Sequence, residues 1–371
     1  MKCVHCAHDA KYKDRKDGFC PSCKKRFAFE PTRGDPMTDG VFSAAIDRVS
    51  SLDRVRFNAD NVYYEIRRRY RRTLSGKILG RALLAGVAVA ISGVASAIRE
   101  DSTFFIVGLL GVPALFGLWY AFSSDVADRQ RFPRAKFDAL FRRYTDAHGT
   151  PKTFIERKEP SYRRAAAQVA SSEEMLSYSF DRAVICDRPE TVDLLLANNF
   201  HFENNCAVLG ISGYPEHAFE TVRKMLRNNP KLLVIALHDA SIEGCKLAHR
   251  LRNDSAWFKD GAQVVDVGLR PAHRKSFPGQ EDRLEPTQHL QPGAGISDAE
   301  AKWLSHSALA LAVVTPEQII KRLFRSMTLV ESKQDDSGGG GGDSGGGSSS
   351  NRDGDLGDDA DASDGGDDSF G

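Results

Sequence analysis

Four cysteines near the N-terminus, Cys3, Cys6, Cys20 and Cys23, form two C-x-x-C pairs separated by thirteen residues. Thiolates are soft ligands, and two such knuckles supply the four sulfurs of a closed tetrahedral zinc site. A closed set leaves no coordination position for a substrate, so the zinc expected here is structural. The segment 1–30 is too short to fold on an apolar core alone, and metal would supply its stability. His5 and His8 stand close enough to replace a cysteine, and the competing reading is two redox or disulfide pairs.

A second set of chemistry-bearing residues lies further along. Asp187 follows the apolar run RAVIC, and His238, Asp239 and Ser241 follow the run LLVIAL. Two carboxylates at the ends of apolar strands can hold magnesium, with Glu190 or Glu243 filling in. His201, His217, His238 and His249 show no recognised metal spacing, and Cys186, Cys206 and Cys245 sit among apolar neighbours as buried thiols. No P-loop or HExxH is present, and neither a GxSxG nor a GxGxxG stands between a strand and a helix, where its chemistry would need it.

The elements that would position these residues alternate regularly. Apolar runs at 182–186, 207–211, 232–237, 263–267 and 309–314 predict five strands. Amphipathic stretches at 189–198, 217–228 and 242–252 predict helices between the first four. Ser297 to Glu300 is a capping box, and Thr315-Pro316 opens the last helix. Continuous apolar strands joined by helices predict a mostly parallel sheet covered on both faces, with ligands outside its carboxyl ends. The segment 270–295 is long enough to be a lid or a binding segment.

Residues 1–30 resemble the zinc-ribbon modules found at the N-termini of many bacterial membrane and nucleic-acid proteins. Residues 180–268 resemble the Toprim domain, with LLVIALHDASIEGCKLAHRL similar to its third strand and following helix; a flavodoxin-like sheet is the alternative. The Toprim resemblance implies magnesium and phosphoryl chemistry on nucleic acid. Asp187 stands near the position of that family's Glu and Asp239 matches the first residue of its Asp-x-Asp, whereas Ser241 replaces the second. The phrase VRFNADNVYYEIRRR resembles winged-helix pieces, including the tyrosine-bearing one of type IIB topoisomerases, which implies Tyr63 or Tyr64 as nucleophile; interfacial packing is the other reading.

Between these parts lie uncharged runs at 82–98 and 102–124, joined by Arg99-Glu100-Asp101. Their length predicts a two-helix transmembrane hairpin over 78–124, with interfacial Trp119 and Tyr120. Arginine clusters on both flanks predict cytoplasmic termini and contact with anionic lipid. Residues 38–77 read as juxtamembrane helices and 125–177 as a polar helical connector. From Lys333 to Gly371 eleven Asp face two cations, so the net charge of +1 hides a tail of −9 and a body of +10. This Gly/Ser/Asp segment has too little to bury and is expected to be disordered.

The sequence thus predicts a multidomain chain: a small zinc ribbon at 1–30, a transmembrane hairpin, and a cytoplasmic α/β domain at 178–328 that is Toprim-like or flavodoxin-like. The favoured function is a membrane-anchored binding or regulatory protein with an unidentified protein or small-molecule ligand. The alternatives are a divergent magnesium-dependent phosphotransfer enzyme on nucleic acid or nucleotide, and a scaffold recruiting partners through its acidic tail.

Overall fold

The computed structural model describes residues 1–15, 17–70, 132–156, 180–229, 232–254, 257–258, 263–285 and 293–337. Three helices come first: α1 (Asp39–Val49), α2 (59–70) and α3 (Arg134–His148). Then follow β1 (Arg182–Cys186), α4 (Pro189–Ala197), α5 (Phe200–Glu203), β2 (Cys206–Gly210), α6 (Glu216–Asn228), β3 (Leu233–Leu237), α7 (Ile242–Asn253) and β4 (Gln263–Asp266). The chain closes with β5 (Asp282–Arg283), α8 (Asp298–Leu304), β6 (Ser307–Ala308) and α9 (Pro316–Ser337).

Strands β1 to β4 form one parallel sheet in the order β2-β1-β3-β4, the leading order of flavodoxin-like doubly wound sheets. Side chains alternate across it. Ala183, Ile185, Leu209, Val234 and Ala236 pack with Leu226, Leu247, Leu251, Trp257 and Phe258 on one face. Val184, Cys186, Val208, Ile235 and Leu237 pack on the other with Val192, Leu195, Phe200, Leu323 and Met327. Both faces are therefore dry, which is why these strands read as unbroken apolar runs.

The second face does not stop at the α/β elements. It runs on into an aromatic cluster built by α1, α2 and α3, in which Phe42 lies 4.6 Å from Tyr144 and 5.4 Å from Phe29, and Tyr63 lies 5.5 Å from Phe137. Polar ties lock the same junction. Arg67 donates to Asp282 Oδ1 at 2.6 Å, the Arg56 N–H donates to Asn198 Oδ1 at 2.7 Å, and Ser51 bonds Glu317.

Two expectations are corrected. Among the described residues no helix is long and apolar enough to cross a membrane, and the hairpin expected at 78–124 lies outside them. The integral-membrane reading, the cytoplasmic placement of both termini and the bilayer and anionic-lipid partners are withdrawn with it. The fifth apolar run is not a sheet strand: Leu309 makes one bridge to Ala240, and Leu311–Val313 is a 3-10 turn laid across the sheet's carboxyl edge. α9 continues to Ser337, through the first five residues of the expected tail, and 338–371 lie outside the described residues, as do 125–131 and 157–177 of the expected connector.

Candidate functional site

The two cysteine knuckles are built alike. Cys3 N–H donates to the His8 carbonyl and Ala7 N–H to the Cys3 carbonyl; Cys20 N–H donates to Lys25 and Lys24 N–H to Cys20 in the same pattern. Ala7 and Lys24 both take positive φ, 57° and 60°, so each loop turns tightly enough to face its two sulfurs inward. Cys3 Sγ lies 3.6 Å from Cys23 Sγ and Cys6 Sγ 3.7 Å from Cys20 Sγ, and all four sulfurs lie within 4.8 Å of one another. Backbone N–H groups of Cys23 and Ser22 hold the Cys20 thiol down to about 6. The N–H of Lys25 pulls Cys23 the same way, but burial and the three neighbouring sulfurs push it up to about 12. Four sulfurs this close can share one cation, binding it as thiolates, and the set is placed to hold one metal ion. It is the only group of three or more candidate ligands among the described residues.

This knuckle pair is tied to the helices by a short polar chain. His5 Nε2 is hydrogen-bonded to His148 Nδ1 at 3.0 Å, and His148 Nε2 to Asp39 Oδ2 at 2.7 Å. Asp39 is fully buried and also accepts the N–H groups of Ala28 and Phe29 at 2.9 and 2.8 Å. His5 was singled out in the sequence only as a spare ligand. Its tie to a histidine 143 residues away carries no sequence signal.

The second cluster sits where the strand order reverses, beyond the carboxyl ends of β1 and β3. The Asp239 N–H donates to Asp187 Oδ2 at 3.0 Å. Asp239 Oδ1 accepts the Leu311 N–H at 2.6 Å, and Oδ2 pairs with Arg188. Burial and the Asp239 charge push the Asp187 carboxyl up to about 6. Burial raises Asp239 as well, against the pull of Arg188 and the Leu311 N–H. The Asp187 Oδ1 atom is buried and lacks a hydrogen-bond partner.

Next to the pair, His238 is wholly buried, its Nδ1 2.8 Å from the Asp239 carbonyl and its Nε2 2.9 Å from Asp266 Oδ1. Burial lowers its pKa, but the Asp266 carboxylate and the Asp239 carbonyl outweigh that and raise it. Two acceptors facing two ring nitrogens describe an imidazolium. Burial would raise Asp266, yet His238 and Arg270 hold it well below the usual carboxylate range, with Arg270 donating to Oδ2 at 2.6 Å. Two glycines make room for this: a Cβ on Gly268 would lie 2.4 Å from the His238 ring, and one on Gly244 would lie 2.3 Å from the Asp239 carbonyl oxygen.

A cleft opens beside Asp239, lined by Asn58, Asp60 and Asn61 around the start of α2, Arg188, Glu190 and Thr191 around the start of α4, and the 310–312 segment. The Arg188 side chain is 54 % exposed there. The α2 residues are held by reciprocal bonds, the Asn58 N–H to Asn61 Oδ1 at 3.1 Å and the Asn61 N–H to Asn58 Oδ1 at 3.2 Å. Glu190 thus joins Asp239, while Glu243 stays exposed on the first turn of α7.

The remaining candidates are tied into the structure. Tyr63 donates to the Phe132 carbonyl at 3.0 Å and Tyr64 to Asp282 Oδ2 at 2.5 Å; both are buried, and burial pushes both phenols up, so neither is a free nucleophile. Cys186, Cys206 and Cys245 are buried and burial raises all three thiols, the last two to about 12. His249 is exposed and His201 is half-buried. The described parts of 270–295 are anchored through Asp282 and Arg270. No protein-family model, curated protein or solved structure matches the chain.

Proposed function

We propose that this chain is a binding protein without turnover. Its α/β domain takes a small polar ligand in the cleft beside Asp239, and a structural zinc ion in the four-cysteine site holds the N-terminal segment against α1 and α3. One observation carries the reading: the carboxylates expected to hold magnesium are spent on the chain's own donors. Asp239 serves Leu311 and Arg188, and one Asp187 oxygen serves the Asp239 N–H. A cation would have to expel Arg188 and supply ligands that Ser241 does not, since its side chain caps α7 at Gly244. Small polar ligands bind in such crevices at switch points of doubly wound sheets.

The test is a manganese titration of the full chain followed by calorimetry, beside a thermal-shift screen of polar metabolites. The expected outcome is no saturable metal binding at millimolar concentration, and at least one metabolite whose stabilisation disappears in Arg188→Ala. Elemental analysis is expected to find one zinc per chain, lost in Cys20→Ser.

A second reading keeps magnesium-dependent phosphotransfer, favoured by the adjacency of Asp187 and Asp239 and by the unpartnered, buried Asp187 Oδ1. Saturable manganese binding that vanishes in Asp239→Asn would replace the first reading with this one.

A further inference from the structure

The four-cysteine module carries a surface that neither the metal nor the cleft explains. Its connector between the knuckles begins at Tyr12 and ends at Phe19, and these rings are 38 % and 43 % exposed. A single exposed ring is ordinary on a protein surface, but two on so small a unit, with lysines on either side of Tyr12 and Arg26 across from Phe19, offer a place for a ligand. Both are held ready. Arg15, buried and paired with Glu30, lies 5.6 Å over the Tyr12 ring. Phe19 bridges Arg26 across the second knuckle, which places the two side chains on one face.

Lys11 and Lys13 flank Tyr12 in sequence, and Lys24 and Lys25 precede the Arg26 that faces Phe19; with Lys2 all are exposed, and none forms an ion pair with an acid among the described residues. Residues 1–30 contain eight Lys and Arg against four Asp and Glu, and a divalent ion on four thiolates takes back two charges, leaving the metal-bound module at +2. Three of the free cations, Lys24, Lys25 and Arg26, follow one another on the turn beside Phe19, with Lys24 in the left-handed conformation that pins the loop.

We propose that the exposed surface of this module binds single-stranded nucleic acid, with bases stacking on Phe19 and Tyr12 and phosphates lying against the neighbouring Lys24, Lys25, Arg26, Lys11 and Lys13. Rings with cations around them suit this polymer because every base offers a π-face and every linkage a charge. A duplex keeps its bases stacked on one another and offers only the charge. The acidic segment of this same chain offers charge too, but its single aromatic ring, Phe370, cannot serve both Phe19 and Tyr12. This surface is independent of the cleft reading.

The experiment uses the zinc-loaded full chain and a fluorescently labelled short oligothymidylate, its RNA counterpart and a matched duplex, read by anisotropy at several salt concentrations. The single strands are expected to bind more tightly than the duplex. Their log–log salt slope is expected near −2, for about three phosphates contacted at about 0.7 each. The double substitution Tyr12→Ala and Phe19→Ala is expected to weaken binding by about tenfold or more, and Lys24→Glu with Arg26→Glu to abolish it, with zinc content unchanged. Should either variant lose zinc, Lys25→Glu alone, on the exposed turn, reads the same contact. The proposal is overturned if the single strands do not saturate at low salt, if the duplex binds as well, or if the substitutions leave affinity unmoved. It is equally overturned if a peptide spanning 351–371 occupies this surface and the oligonucleotides do not.

Discussion

Asp187 holds an ionisable carboxyl where burial and a neighbouring carboxylate both disfavour its charge. Its folded pKa, about 6, lies above the ordinary value of 3.8, so the folded state holds its proton more tightly than the unfolded one. The ionisation cost is absent below about pH 4 and complete above about pH 6, and stability falls as pH rises through that window. At about 1.4 kcal/mol per unit the cost is on the order of 2–3 kcal/mol. Asp187→Asn keeps an acceptor for the Asp239 N–H, so the variant is expected to be more stable than the parent at neutral pH and equal to it near pH 4, measured by denaturant unfolding. Gly268 poses the opposite case. The His238 ring already fills the space of its Cβ, and Gly268→Ala is expected to cost about 3 kcal/mol, read as a lowered melting temperature with loss of the His238–Asp266 bond by NMR.

At the scale of elements, the sheet was legible because chemistry and period agreed. Strands buried on both faces must be apolar throughout, and RAVIC and LLVIAL are; the observed β1 and β3 lie within those runs. Ser297 and Glu300 cap α8 reciprocally, as their spacing requires. LALAVV misled for the same reason that the others succeeded. It is apolar because it is buried, yet Leu311 N–H is drawn to Asp239 and turns the chain into a 3-10 turn instead of a ladder. The four cysteines were legible because metal ligation fixes spacing; the His5–His148–Asp39 chain was not, because pairings across the fold leave no mark on local periodicity. The 38–77 segment announced helices but not their partner: Phe42 fills the centre of an aromatic cluster shared with α3 and the 28–29 segment. Phe42→Ala is expected to destabilise the whole fold by about 3–5 kcal/mol in thermal or denaturant unfolding. Asn61→Ala, which removes one reciprocal cap of α2, is expected to cost about 1 kcal/mol by the same measure.

Across the whole molecule, the N-terminal third and the C-terminal α/β elements share one hydrophobic core, and the cysteine module hangs on that core through His148 and Asp39. Chelation of the metal is therefore expected to reach beyond the knuckles. The amides of Ala28 and Phe29, which donate to Asp39, should exchange with solvent faster in the chelated protein, whereas those of β3 should not; hydrogen exchange followed by mass spectrometry reads both. The ties between Ser51 and Glu317 and between Arg67 and Asp282 span 266 and 215 residues of chain. During synthesis, at roughly 5–20 residues per second, α1 and α2 leave the ribosome about 10–50 s before the surface that buries them has been made. Phe42, Phe57 and Tyr63 wait less, roughly 4–20 s, because their ring partners Phe137, Tyr144 and Phe154 follow within about 75–100 residues; the polar ties to the α/β elements are the last to close on this part of the chain.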